Sequence, residues 1–197
     1  MPEKLHSPAA DRNKAPLLEV LIRVLPPTGT VLEIASGSGQ HVVWFAAAMK
    51  GLRFQPSDPD ASARASIAAH LEDAGVPIAP PLDLDVLRPW PIGAVDAILA
   101  VNMVHISPWE ATLALLAGAS ERLPLGGPLV LYGPYRIGGA HTAESNAAFD
   151  ESLRARDPRW GVRDLEAVVD AARAVGLRQD ERVPMPANNQ TVIFRKI

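Results

Sequence analysis

Short apolar runs alternate with helical patterns along most of the chain. Residues 30–35 (TVLEIA) are the first such run; they end at a Gly-rich turn and predict a buried strand. Residues 40–50 (QHVVWFAAAMK) predict a helix, with Gly51 as a natural stop. Residues 52–56 and 77–84 predict a second and third strand. Between them, residues 61–74 predict a helix that Asp60 can cap and Gly75 ends. Residues 95–101 (VDAILAV) predict a fourth strand, residues 108–123 a helix capped by Ser107, and residues 128–132 (PLVLY) a fifth strand. Ahead of all these, residues 15–25 (APLLEVLIRVL) show helical spacing, with Pro16 suited to the first turn and Pro26-Pro27 as the stop.

The alternation breaks over residues 133–160, which hold GPYRIGGAH, a short helical stretch at 144–156 and DPRW. A helix over 164–175 and two closing strands, 177–183 and 191–195, follow; the strands are joined by PMPANNQ, and a connection that short makes them antiparallel. Strands alternating with helices imply parallel β-α-β units. The predicted fold is a single α/β, Rossmann-like domain. It has a seven-stranded, mainly parallel sheet, helices on both faces and a C-terminal antiparallel hairpin. Residues 1–29 form an N-terminal lid segment and helix, 30–132 the ligand-binding core, 133–163 an insertion over the site, and 164–197 the last helix and hairpin.

Composition narrows the chemistry. Nineteen Lys and Arg against 22 Asp and Glu give a net charge of −3, and no basic run stands out as a nucleic-acid footprint. The chain has no Cys, which removes disulfides and thiolate chemistry; the five His are not spaced as a metal cluster, so no bound metal is expected. No apolar run reaches the roughly 18 residues a membrane span needs, and the polar start MPEKLHSPAADRNK lacks a signal-peptide core. The expectation is a soluble cytoplasmic protein. Of the 19 Pro, six follow strands, where a residue that cannot continue a central strand stiffens the loops (Pro56, Pro59, Pro89, Pro91, Pro108 and Pro134), while Pro26-Pro27 and Pro124 lie at the opposite edge.

Four polar marks fall at the carboxyl ends of successive strands, where open α/β sheets bind ligands. The first is VLEIASGSGQHVVWF, with Glu33 in the strand and Gly37 and Gly39 in the turn. A dinucleotide fingerprint wants a third glycine, where this chain has Val42, and Glu33 would repel a pyrophosphate. A carboxylate there suits an ammonium group, so an amino-acid-like cofactor fits better. The second mark is Asp58, which can accept from a ribose diol. The third is Asp83-Leu84-Asp85-Val86, where either carboxylate can accept from an adenine amino group while a backbone N–H serves a ring nitrogen. The fourth is Asn102-Met103-Val104-His105.

This constellation resembles class I S-adenosylmethionine-dependent methyltransferases. The resemblance implies S-adenosyl-L-methionine as cofactor, with Glu33, Ala35, Ser36, Gly37, Gly39 and His41 by its methionine part, Asp58 by the ribose, Asp85 and Val86 by the adenine, and Asn102 beside them. Longer strings, among them SPAADRNKAPLLEVL, NMVHISPW, SNAAFDESLRARDPRWGVRD and MPANNQTVIF, resemble an uncharacterised methyltransferase-like family of bacteria and animals (domain of unknown function 938, methyltransferase-like 26 type). That resemblance implies fold and cofactor but names no acceptor; N- or O-methylation of a small molecule is the expectation, with a non-catalytic S-adenosylmethionine-binding protein as the alternative.

His105 is the candidate general base, since imidazole titrates near neutral pH; the other reading is a histidine that lines the pocket or bonds a carbonyl. Tyr135 is a second catalytic candidate and, with Asn13, Trp109, Arg136 and Asn146, a candidate substrate contact. Arg12 and Asn13 lie in the lid segment, Asn146 and Phe149 in the insertion. His41 reads equally well as a helix-surface residue. Tyr132 reads as core packing within its strand, and Asn188-Asn189 as turn formers.

Overall fold

The computed structural model describes residues 4–75 and 78–197. Its main sheet has six strands: β1 (Gly29–Ile34), β2 (Leu52–Pro56), β3 (Ala97–Val101), β4 (Pro128–Gly133), β7 (Leu177–Met185) and β8 (Asn189–Lys196). Their order is β2-β1-β3-β4-β8-β7, with the first four parallel and β8 antiparallel to both β4 and β7. The mainly parallel sheet and its terminal hairpin are as expected, with six strands in place of seven.

Strand alternation sends successive side chains to opposite faces. Leu32, Ile34, Ile98, Ala100, Leu129, Leu131, Val192 and Phe194 pack beneath α4 (Trp109–Arg122) and α6 (Leu165–Ala174). Val31, Leu99, Val130, Tyr132 and Ile193 pack beneath α1 (Pro8–Val24) and α2 (Gln40–Ala48), with Ile67 of α3 (Ala61–Ala74) joining them. Among the described residues, no helix is long and apolar enough to cross a membrane.

The predicted third strand does not form. Its first residue, Pro77, lies outside the described residues. Of the remainder only Leu82 pairs, donating its N–H to the Pro56 carbonyl and accepting from Asp58 N–H, both at 3.0 Å. Pro80 and Pro81 have no N–H to give a ladder, so the pairing stops at one bridge.

Three further expectations shift. The first helix starts at Pro8, not at residue 15, because Ser7 Oγ accepts from Ala10 N–H and Pro8 takes the first-turn role; Pro16 therefore lies inside the helix. Ser107 does not cap α4: its hydroxyl donates to the Met103 carbonyl at 2.8 Å, and Pro108 occupies the cap position. The insertion carries, besides α5 (Glu144–Arg156), a two-stranded ribbon of β5 (Arg136–Ile137) and β6 (Ala140–His141) turning at Gly138-Gly139.

Candidate functional site

The turn from β1 into α2 is held from below. Ser57 Oγ donates to the Glu33 carbonyl at 2.7 Å, and Ser36 N–H to the Ser57 carbonyl at 2.8 Å. Asp58, at the end of β2, accepts from Gly37 N–H and Asp60 N–H, each at 3.0 Å. Gly37 has φ +58 and open space where a Cβ would stand. Gly39 has φ +92, and a Cβ there would meet the Cα of Ile67 at 2.9 Å. One glycine leaves room above the turn; the other lets α2 and α3 close together. Ala35 and Asn102, at the ends of β1 and β3, also hold positive φ (54 and 58), a strain that gathers where such sheets bind ligands.

Glu33 is 1% exposed, and its Oε2 has no hydrogen-bond partner. Burial, with the Asp58 charge adding to it, pushes its carboxyl up to about 7; the Ser36 hydrogen bond opposes this only in part. Burial also raises Asp58, against the two backbone N–H groups it accepts. Asp85 accepts from Leu87 N–H at 3.0 Å and lies 3.5 Å from Arg88 Nε, next to buried Val86. Asp83 is exposed and pairs with Arg64 at 3.2 Å.

A cavity of about 330 Å³ opens beside this row. It is lined by Arg12 and Asn13 of α1, Asn102 and Tyr132 from the ends of β3 and β4, Asn146 and Phe149 of α5, and Ala187 and Asn189 of the β7–β8 connection. The structure thus brings Asn13, Asn102 and Asn146 together. Asn146 Nδ2 donates to Thr142 Oγ1 and to the Asn188 carbonyl, each at 3.0 Å, which ties the insertion to the hairpin turn. Ala187 and Asn188 take positive φ there, so Asn188 forms the turn as expected, whereas Asn189 has φ −86, opens β8 and lines the cavity.

Other candidates are placed elsewhere. Tyr135 and Tyr132 exchange the parts the sequence suggests. Tyr135 is fully buried beneath the α4–α6 layer, with its hydroxyl unpartnered and pushed further up by burial. Tyr132 lies under the opposite layer at the end of β4 and lines the cavity. Arg136 pairs with Asp164 at 2.6 Å, and Trp109 lies under the Arg163 guanidinium, 5.7 Å from its ring centre. Neither lines the cavity. His41 is neither on the helix surface nor at the cavity wall. It is buried against α1, its Nε2 is 2.6 Å from Asn13 Oδ1 and its ring stacks on Phe45. Burial first, then the Lys14 charge, pulls its pKa down to about 4.

His105 does not reach the cavity either. It is fully buried, accepts from Arg163 N–H at its Nδ1 (3.2 Å) and meets the Tyr135 ring edge-on at 4.8 Å. A Cβ on Gly133 would lie 2.5 Å from its Nε2. Burial, then the Arg163 charge, lowers its pKa to about 3, so the ring is neutral with its proton on Nε2. Its carbonyl accepts from Gly161 N–H, and Arg163 reaches the Val104 and Ser107 carbonyls; this clamp binds the insertion to the β3–α4 loop. Nothing in the spacing of Arg163 from His105 along the chain signals the clamp. His105→Ala is expected to cost about 2–4 kcal/mol of stability by emptying a packed site and orphaning Arg163 N–H. Thermal unfolding checks this, and the wild-type His105 ring should show no NMR titration between about pH 5 and 8.

Residues 4–196 match the model of a family described as "Protein of unknown function (DUF938)". Among solved structures, the chain is similar to an O-methyltransferase family protein from Burkholderia thailandensis (17% identity, TM-score 0.80, covering 95% of this chain and 57% of that one). It is also similar to an O-methyltransferase family 2 protein from Planctomyces limnophilus in complex with apigenin (19% identity, TM-score 0.77, 96% and 61% covered). A third is human N-acetylserotonin methyltransferase in complex with SAM (13% identity, TM-score 0.79, 95% and 52% covered). The chain spans little more than half the length of these proteins, and the similarity is one of fold.

Proposed function

From a chain that belongs to the DUF938 family, whose description assigns no function, we propose S-adenosylmethionine-dependent methyl transfer to a small-molecule acceptor. Within that family we place it with the methyltransferase-like 26 type, on the long strings quoted above. The observation that carries the proposal is Glu33: a buried carboxylate with an unpartnered oxygen, at the end of the first strand, beside a glycine turn with open space above it. An unpaired buried carboxylate is costly unless a cation meets it, and the ammonium of an amino-acid-like ligand is such a cation. The solved neighbours that contain SAM or apigenin support the reading by fold.

The residues fit the group as follows. Glu33 would hold the ammonium, and the Ser36–Gly37 turn would admit the methionine part. Asp58 accepts one backbone N–H at each oxygen, which leaves each a lone pair for the ribose hydroxyls. Asp85 and Val86 would take the adenine in preference to Asp83, which is exposed and paired with Arg64. When bound, the cofactor supplies an activated methyl group on a sulfonium. Asn102, just past the end of β3 and on the cavity lining, would orient the acceptor atom. Positioning of this kind is worth up to about 7–11 kcal/mol.

Among the described residues, those lining the cavity include no carboxylate, imidazole or ammonium side chain, and burial raises the Tyr132 phenol above its ordinary value. Proton removal at neutral pH therefore has no base there, and His105 is not available for it. The acceptor atom must already carry a free lone pair, as an amine nitrogen or a carboxylate oxygen does. An amine product then releases its proton to water.

Calorimetric titration tests the cofactor: S-adenosylmethionine and S-adenosylhomocysteine should bind and NAD should not. Asp58→Ala is expected to weaken that binding at least tenfold, because it removes both the ribose acceptor and the brace on Gly37. Equal affinity of the variant would remove Asp58 from the site. Cofactor binding without S-adenosylhomocysteine release from any acceptor pool would leave a non-catalytic binding protein.

A further inference from the structure

We propose that the cavity takes a small organic anion, a flat molecule whose carboxylate or phosphate lies against Arg12 and Asn13. The inference names the acceptor class for the methyl-transfer reading and rests on it for the word acceptor. The anion preference itself follows from the cavity.

In a chain of net charge −3, the one charged side chain lining this cavity among the described residues is a cation. Arg12 is exposed at the mouth, and among the described residues it makes no ion pair and no side-chain hydrogen bond. Its neighbours on α1 are engaged: Asp11 holds Lys14 at 2.7 Å and His6 at 2.6 Å. A guanidinium with five donors and no acceptor suits a planar carboxylate or a phosphate.

Asn13 adds to the same end. Its Oδ1 can only accept, so His41 Nε2, 2.6 Å away, donates to it. His41 is held neutral by burial, so this pairing brings no second positive charge. The acceptor of Asn13 is thereby used, and its amide donors remain. Burial is the larger influence on the neighbouring Tyr132 phenol and raises it, while Asn13, Asn189 and the Arg12 charge pull the other way, so these groups share one end of the cavity.

Asn146 on α5 contributes an acceptor instead: its amide group donates to Thr142 Oγ1 and to the Asn188 carbonyl, so its carbonyl oxygen is what remains. Phe149, Pro134 and Pro186 supply apolar lining. The cavity therefore combines donors at α1, apolar lining and an acceptor at Asn146. A volume of about 330 Å³ lies at the small end of ligand sites, which fits a single ring with its substituents.

The test uses the full chain with S-adenosylhomocysteine present and four ring probes of one size: benzoate, phenyl phosphate, benzamide and benzylamine. Ligand-observed NMR titration should show benzoate or phenyl phosphate binding at least tenfold more tightly than benzamide, and no binding of benzylamine. Whichever anion binds tighter identifies the group. Arg12→Gln should weaken the anion about tenfold, and Arg12→Lys should keep most of the affinity; Arg12 is exposed, so both variants should fold. Equal binding of benzamide, tighter binding of benzylamine, an unchanged anion affinity in Arg12→Gln, or no anion binding at all would overturn the proposal. The affinity for S-adenosylhomocysteine is read in the same samples. If it is lost while the anion preference holds, the methyl-transfer reading fails and the anion site stands; if it holds without the preference, only the anion site fails.

Discussion

Glu33→Gln is expected to act in opposite directions on the free and the liganded protein. In the free protein the carboxyl is held up to about 7, from an ordinary 4.5, chiefly by burial. Below about pH 4.5 the group is neutral both folded and unfolded, and it costs nothing. Between 4.5 and 7 the unfolded chain ionises first, so the folded state loses relative stability as pH rises. Above 7 the full penalty of about 3 kcal/mol remains. Glutamine carries no such charge. The free variant should therefore unfold roughly 2–10 °C higher than wild type at pH 8 and nearly together with it at pH 4.5, allowing for its own unpartnered amide.

Binding should show the reverse sign. An ammonium placed against Glu33 pairs a charge that is otherwise orphaned, and removing one partner of such a buried pair costs about 2–4 kcal/mol, or roughly 30- to 1,000-fold in S-adenosylmethionine affinity. Pairing also pulls the Glu33 pKa down. Near pH 6, where the free carboxyl is mostly protonated, wild type should release close to one proton on binding; at pH 9 it should release none from this group. Calorimetry in buffers of different ionisation enthalpy reads that proton directly. An unchanged affinity together with an unchanged melting temperature would mean that Glu33 meets no cation.

The contrast between Glu33 and His105 shows what the chain pattern could convey. Both sit at the carboxyl end of a strand, and both are marked by a polar residue breaking an apolar run. Glu33 is fixed by local geometry: its strand, its turn and the Ser36–Ser57 brace all lie within one β-α-β unit. The surroundings of His105 come from 58 residues further on, where Arg163 N–H and the Gly161 backbone close over it. No local period reports that closure. The tyrosines divide in the same way. Alternation along β4 says that Tyr132 faces one side of the sheet, but that this side carries the cavity depends on α1 folding across it with Arg12 and Asn13. The failed third strand was legible in principle, because Pro80 and Pro81 cannot donate to a ladder. The start of α1 was also signalled, by Ser7 ahead of Pro8.

Gly39→Ala and Gly37→Ala should separate the two demands on the glycine turn. At Gly39 a methyl group would stand 2.9 Å from the Ile67 backbone Cα and 3.3–3.4 Å from the Cγ1 and Cβ of that side chain, at φ +92. Backbone cannot step aside as a flexible side-chain tip can, so α3 would have to move away from α2. Left-handed strain of about 1–2 kcal/mol and overpacking of about 1–3 kcal/mol add to a loss of roughly 2–5 kcal/mol. The melting temperature should fall by roughly 5–15 °C, with cofactor affinity falling only as far as the turn is displaced. At Gly37 the nearest atom to a new methyl is the Ala35 carbonyl oxygen at 4.0 Å, so only the strain at φ +58 applies, about 1–2 kcal/mol. That methyl, however, occupies the open space above the turn. Gly37→Ala should lose cofactor affinity out of proportion to its small loss of stability, at least tenfold, and Gly39→Ala should show the reverse ratio. Measuring both quantities on both variants decides it, because equal ratios would mean that the turn has a single role and that the space over Gly37 is not where a ligand approaches.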